Sequence, residues 1–333
     1  MSVGVTLSRH LREEEARHPD MTVELSTLLD QLGFASKILS REIGRAALVG
    51  QLGLIGETNP TGDPQKKLDV YGNQIMVEAF ARTGLVAGIV SEELEEIKQV
   101  TGAESARYVL SIDPVDGSSN TDINGAIGTI FGVYRRTGGS LESDLLRKGS
   151  EQVLAGYVMY STSTMLVYTC GHGVHGFTLD RDLGEFLLSH ENIRCPARGK
   201  YYSANLGRYQ DWEPNIRGCV DWLTQNDPAT GRPYSLRYSG ALVGDFHRCL
   251  LEGGFYFYPP DSSHKQGKLR LLYEAAPLGL IAREAGGRAS TGRQDILDVQ
   301  ATDIHQRLPL VIGSAHEVGL YEQFLSRSAA VVT

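Results

Sequence analysis

Tyr108-Val109-Leu110-Ser111-Ile112-Asp113-Pro114-Val115-Asp116-Gly117-Ser118-Ser119-Asn120 is the stretch on which the reading of this chain turns. Its first part is short, apolar and rich in β-branched side chains, which predicts a buried strand. Asp113 and Asp116 leave the end of that strand with Pro114 between them. Proline fixes its own φ and presses the preceding residue toward an extended backbone. The two carboxylates can therefore converge on one point instead of splaying along a helix. Gly117 tolerates a left-handed turn, and a turn there exposes successive N–H groups in the geometry that holds a phosphate. Acids that suit a metal, beside a turn that suits an anion, predict metal-assisted phosphate chemistry.

Working outward, Leu85 to Val90 reads as a second buried strand, ending in Ser91-Glu92-Glu93. Gly128 to Tyr134 and Gly156 to Thr169 are strand-rich, with an exposed loop and a short helix expected between Thr137 and Gln152. Upstream, Leu25, Leu28, Leu32, Ala35 and Leu39 recur at helical spacing after a cap at Thr22 or Asp20. Asn59 to Pro64 is a loop by its turn residues. A second helix follows, carrying Leu68, Tyr71, Ile75 and Ala79 on one face. Asp63 lies in the loop before it and Asp69 in its first turn. Residues 1–21 are polar and charged, and read as a loosely held arm.

Downstream, helices are expected over Pro214 to Thr224, Leu242 to Glu252, Leu271 to Glu284 and His316 to Arg327, with strands at Gly254 to Tyr258 and Leu310 to Gly313. A composition break at Ile193-Arg194-Cys195-Pro196 divides the chain into an expected first domain, 1–194, and a second, 195–333. The overall expectation is an α/β protein of two parts.

With 333 residues, 41% hydrophobic and 22% charged, the chain has the composition of a folded globular protein. A formal net charge of −8 argues against a general nucleic-acid surface, which wants basic stripes. It also means that bound cations and local Lys or Arg must offset an anionic substrate. No apolar run approaches a membrane span, and the charged start does not read as a signal peptide, so a cytoplasmic location is expected. Cys170, Cys195, Cys219 and Cys249 are widely spaced and read as free thiols.

Six acids stand at the edges of regular elements: Asp63, Asp69, Glu92, Glu93, Asp113 and Asp116. Singly, each has an ordinary reading as a turn residue, a helix-start residue or a solvated surface charge. Brought together they would repel. Two like charges about 4 Å apart cost about 4 kcal/mol at an effective dielectric of about 20. Bound divalent cations relieve that repulsion. An all-oxygen set without His or Cys suits Mg²⁺, with Mn²⁺ as a substitute, better than Zn²⁺.

Several separate motifs now add up to a family resemblance. Thr61-Gly62-Asp63, Lys66 to Val70, Ser91-Glu92-Glu93, Asp113 to Asn120, Gly128 to Gly132, Gly267 to Glu274 and Arg307-Leu308-Pro309 occur in order from about Thr22 onward. Together they resemble class I fructose-1,6-bisphosphatase, within the sugar-phosphatase superfamily that includes inositol monophosphatase. The resemblance implies alternating helix and sheet layers with mixed sheets. It implies hydrolysis of the 1-phosphate of fructose 1,6-bisphosphate with two or three Mg²⁺ ions. Glu92, Glu93, Asp113, Asp116, Glu274 and the Val115 carbonyl would surround the metals, Asp63 would assist, and Asp69 with Glu93 would polarise the attacking water. Gly117, Ser118 and Ser119, next to Asp116, would hold the 1-phosphate. Asn205, Tyr209, Arg237, Tyr238, Tyr258 and Lys268 match the pocket for the sugar and 6-phosphate. The arginine matching Arg237 reaches a neighbouring subunit's site, which implies a homo-oligomer, typically a tetramer.

The chain departs from the family's pattern in places. Leu206-Gly207-Arg208 makes the Asn205 to Tyr209 segment one residue longer than in many members. The family's AMP loop has a Thr-Gly-Glu core, whereas here Arg17 to Thr22 reads Arg-His-Pro-Asp-Met-Thr, although Tyr108 and Arg135 match other AMP contacts. Weak or altered AMP inhibition is therefore expected. The Thr137 to Gln152 segment holds no cysteine, so thiol control of the plastid kind is not expected. Inositol-monophosphatase-like enzymes usually carry their late metal acid in a Trp-Asp pattern, while this chain has Tyr273-Glu274, favouring the bisphosphatase. Sedoheptulose 1,7-bisphosphate is the nearer rival substrate.

Overall fold

The computed structural model describes residues 4–60, 62 and 64–326; Asp63 and Thr61 fall outside the described residues. Five layers stack in the order helix, sheet, helix, sheet, helix. The first sheet has eight strands and the second five. Helices Leu7–Arg17, Val23–Arg45 and Lys67–Ala81 cover the outer face of the first sheet. Helices Leu242–Glu252 and Ala276–Glu284 fill the space between the sheets. Pro214–Thr224 and Ala315–Ser326 close the far face of the second.

The strand predicted from Tyr108 runs over Tyr108–Asp116 and is buried along its whole length. It is central, so both faces meet helices, and its first half, Tyr108-Val109-Leu110, is apolar on both faces instead of alternating. Val109 points into the core between the sheets and Leu110 into the core under the outer helices. The strand pairs with Ile127–Arg135 antiparallel and with Val86–Ser91 parallel. Sequence reading ended the strand before Asp113. It instead carries both acids, with a break of register between Asp113 and Asp116 where Pro114 cannot donate to the ladder.

Residues 1–21 were expected to form a loose arm, and the structure differs. Leu7–Arg17 is a helix capped by Thr6, with Leu7, His10, Leu11 and Glu14 buried. Its apolar stripe is only two leucines long, too weak a periodic signal to read against so many charges. The strand His175–Asp180 and the edge strand Glu185–His190 also escaped the sequence reading. The expected helix from Leu271 begins as a wide π-helical turn over Leu271–Ala275 and becomes α-helical at Ala276. Among the described residues no helix is long and apolar enough to cross a membrane. The described cysteines are free.

Candidate active site

Because Val86–Ser91 and Tyr108–Asp116 run parallel, their carboxyl ends open at the same edge of the sheet, the usual place for a ligand in such sheets. That register brings Glu92 and Glu93 beside Asp113 and Asp116, and the Glu92 N–H still donates to the Ile112 carbonyl at 3.2 Å. Asp69 joins them from the first turn of Lys67–Ala81, where its Oδ2 accepts the Lys66 N–H at 2.8 Å. Glu274 arrives from the wide turn Leu271–Ala275, held by the Arg270 N–H on Oε2. Wide turns of this kind recur at functional positions because they re-aim a side chain. The Ser111 hydroxyl donates to the Leu272 carbonyl at 2.8 Å and so fastens that turn to the central strand.

Each acid on the strand is pinned by backbone. Asp113 Oδ1 accepts the Val115 N–H at 3.0 Å. Asp116 accepts the Leu242 N–H at 3.2 Å and the Val243 N–H at 2.7 Å, so it also caps the helix Leu242–Glu252. One oxygen from each of Asp113, Asp116 and Glu274 lies within 4.8 Å of the others, and all three residues are buried. Gly117 has φ of +76°, and a Cβ there would stand 2.4 Å from the Ala241 Cβ, so both its backbone and its surroundings require glycine. The turn it makes leads into Ser118–Ile123.

The electrostatics follow from crowding. Burial pushes the Glu274 carboxyl up to about 8, with the Glu92 charge adding to it. Burial raises Asp116 to about 7 and Glu93 to about 7. Asp69 rises to about 6, from burial first and from Glu92 among its charged neighbours. Asp113 is held well above the ordinary carboxylate range by burial, then by Glu92, Asp116 and Glu274. Carboxylates this close and this buried keep their charges only beside a cation. The donor set is all oxygen, so the residues fit a hard divalent ion.

Asp69, Glu92, Glu93, Asp113, Val115, Asp116, Gly117, Ser118, Ser119, Tyr238, Tyr258, Lys268 and Glu274 line one cleft of about 480 Å³. Lys268 Nζ stands 5.9 Å from the centre of the Tyr258 ring. The structure does not bring Asn205, Tyr209 or Arg237 into that cleft. Asn205 caps a short turn through the Gly207 N–H, and the Tyr209 hydroxyl donates to Asp221. Arg237 lies over the Tyr201 ring, 5.5 Å from its centre, and lines a separate cavity with His247 and Arg248.

Sequence reasoning missed two cleft residues and one neighbour of the cleft. Lys66 ties the phosphate-type turn to the Lys67–Ala81 helix, reaching Asp122 at 2.8 Å, Thr121 Oγ1 at 3.2 Å and the Ser119 carbonyl at 3.4 Å. Arg270 is a buried cation 3.5 Å from Glu92. Gln65 donates its amide to the Glu93 carboxylate. Lys66 and Arg270 lie within motifs already quoted, next to Asp69 and Glu274, and their charge was the available signal.

Comparison with known proteins agrees with this geometry. Residues 5–191 match the family described as fructose-1-6-bisphosphatase, N-terminal domain, and residues 195–326 match its C-terminal domain. A fructose-1,6-bisphosphatase class 1 of Acaryochloris marina is 57% identical over 99% of this chain and 100% of its own length. One from Chlorobium luteolum is 50% identical over 97% of this chain and 98% of its own. The crystal structure of Leishmania major fructose-1,6-bisphosphatase in holo form superposes with a TM-score of 0.91 at 39% identity, covering 98% of this chain and 100% of that one. With both halves matched, the acids gathered at one sheet edge and the layer order in place, the chain belongs to the class 1 fructose-1,6-bisphosphatase family.

Proposed function

We propose that this protein hydrolyses the 1-phosphate of D-fructose 1,6-bisphosphate to fructose 6-phosphate and phosphate, with Mg²⁺ as its metal. The observation that carries the reading is the buried Asp113, Asp116 and Glu274 cluster at the foot of a cleft that also holds the Gly117 turn. Asp113, Asp116, Glu274, Glu92, Glu93 and the Val115 carbonyl would hold the ions. When bound, divalent ions there neutralise the carboxylates and draw charge from a phosphoryl group. Asp69 and Glu93 would polarise the attacking water and draw off its proton, a general-base role that carboxylates suit. The Gly117 to Ser119 backbone and hydroxyls hold the 1-phosphate, and Tyr238, Tyr258 and Lys268 hold the sugar and the 6-phosphate. In this reading residues 1–194 form the metal and 1-phosphate domain and 195–333 the sugar domain. The protein works in the cytoplasm as a homo-oligomer, a tetramer, in which Arg237 serves a neighbour's cleft; its position outside its own cleft supports that. AMP inhibits weakly, since the Tyr108 hydroxyl already bonds Thr22 Oγ1 at 3.0 Å.

The test is phosphate release from fructose 1,6-bisphosphate with and without Mg²⁺, for the parent and Asp113→Ala. Metal-dependent release by the parent alone is expected, and equal metal-independent release by both sinks the mechanism. Sedoheptulose 1,7-bisphosphate and inositol monophosphate assayed alongside rank the substrates.

A further inference from the structure

A second group of ligating side chains lies far from the cleft, where the N-terminal helix meets the sheet. His10 and Glu14 stand one turn apart on the buried face of Leu7–Arg17, and His175 opens the strand His175–Asp180. The three are 3%, 7% and 8% exposed. One ligand atom from each lies within 4.8 Å of the others. Neither His10 Nε2 nor His175 Nε2 has a hydrogen-bond partner, and nor does the hydroxyl of the adjacent Tyr168. Buried polar atoms are seldom left unpaired, so several orphans converging on one place call for an occupant. Glu14 and His175, though not His10, line a small cavity beside the group, of about 10 Å³, room for one water or one ion.

We propose that His10, Glu14 and His175 form a binding site for one transition-metal ion of the Zn²⁺ class, pinning the N-terminal helix to the sheet. Two imidazoles and a carboxylate are a donor set for zinc, in contrast to the all-oxygen acids of the cleft. Burial, then the neighbouring His175, holds His10 neutral with its affinity for protons lowered to about 4; burial lowers His175 as well. Both rings are thus neutral, the charge state that a metal ligand needs. Glu14 supplies negative charge. Its Oε1 pairs with Arg17 at 3.0 Å, and its Oε2 lies 3.6 Å from His18 Nε2. The His175 Nδ1 accepts a long bond, 3.3 Å, from the Asn192 N–H. Metal binding at Nε2 moves the ring proton to Nδ1 and gives up that bond. A water would satisfy the same orphans without this change, which makes water the competing occupant.

The test uses the full chain loaded with Zn²⁺ and dialysed against excess Mg²⁺, which occupies the oxygen cluster. The parent is expected to retain about one zinc ion per chain and to melt at higher temperature than its zinc-free form. His10→Gln and His175→Gln should lose both properties, while Asp113→Asn keeps them. Equal zinc content in the parent and the histidine variants overturns the proposal, as does zinc lost with Asp113→Asn. Crystals of the zinc-loaded parent supply a readout independent of folding defects. An anomalous peak between His10 and His175 supports the site, and water density without anomalous signal refutes it.

Discussion

The two ends of the cleft are finished to different degrees. At the acid end every strand carboxylate is buried and held by a backbone N–H from its own chain: Val115 for Asp113, Leu242 and Val243 for Asp116. At the other end Tyr238 is 39% exposed, Lys268 stands over the face of Tyr258, and Arg237 lines another cavity. A cation placed among carboxylates needs rigid geometry, since misplaced charge is costly in a buried site. A sugar phosphate held by mobile cations tolerates more slack, because lysine acts as a point charge and not as a fork. On the proposed reading, chemistry is set at the finished end and substrate choice at the open one.

That contrast can be broken experimentally. The largest effect is expected from Glu93→Gln, which removes a proton acceptor while keeping shape. Turnover should fall by about 10²- to 10⁴-fold with KM little changed; a variant that keeps its turnover but loses affinity would reverse the assignment of the two ends. Lys268→Ala should instead act through KM, lowering kcat/KM by roughly 10- to 100-fold, the worth of one hydrogen bond to a charged group. An equal fall in kcat would make the open end catalytic. Mixing Arg237→Ala with Glu93→Gln subunits sharpens the point further. If the arginine is lent across an interface, mixed oligomers exceed the mean activity of the two parents, and an activity no higher than that mean excludes lending.

Smaller effects should appear in stability. Gly117→Ala forces a side chain into left-handed backbone and against Ala241, and should cost about 1–3 kcal/mol in denaturant unfolding. A loss below a few tenths would mean the turn adapts. The pH dependence has a definite sign. Asp69, Glu93, Asp116 and Glu274 have folded affinities for protons raised to about 6, 7, 7 and 8. Metal-free protein therefore keeps their contribution in full below the ordinary carboxylate range of about 4 and loses it progressively until pH passes the folded values of about 6 to about 8. Mg²⁺ should raise the melting temperature by a few degrees more at pH 8 than at pH 6, about the effect of 1 kcal/mol or less. A larger gain at the lower pH would show that the cation is not held by these carboxylates.

How much of this was legible in the sequence depended on how local each signal is. The helix over Pro214–Thr224 and the helix over Leu242–Glu252 were read to the residue, since proline, glycine and apolar spacing mark their ends. The helix Leu7–Arg17 was not, because its burial comes from distant partners, the helix Val23–Arg45 and the rings of Tyr168, His175 and Phe177 that receive His10. The acids of the site were visible as motif residues. Their shared cleft was not, since it depends on the parallel register of Val86–Ser91 with Tyr108–Asp116. Lys66 and Arg270 stayed hidden for a related reason: a lysine or arginine in a polar motif gains its meaning only from what it faces.

The bond from Ser111 to Leu272 joins positions 161 residues apart. Folding must close that whole intervening span before Glu274 can meet Asp113, and such distant contacts form slowly. A chain emerging from the ribosome exposes its N-terminal half first. It presents Asp113 and Asp116 well before the helix that Asp116 caps, or the glutamate that completes their cluster, has been made. The unfinished polypeptide thus holds no working ion trap. The three-carboxylate cluster can assemble only once synthesis has passed Glu274.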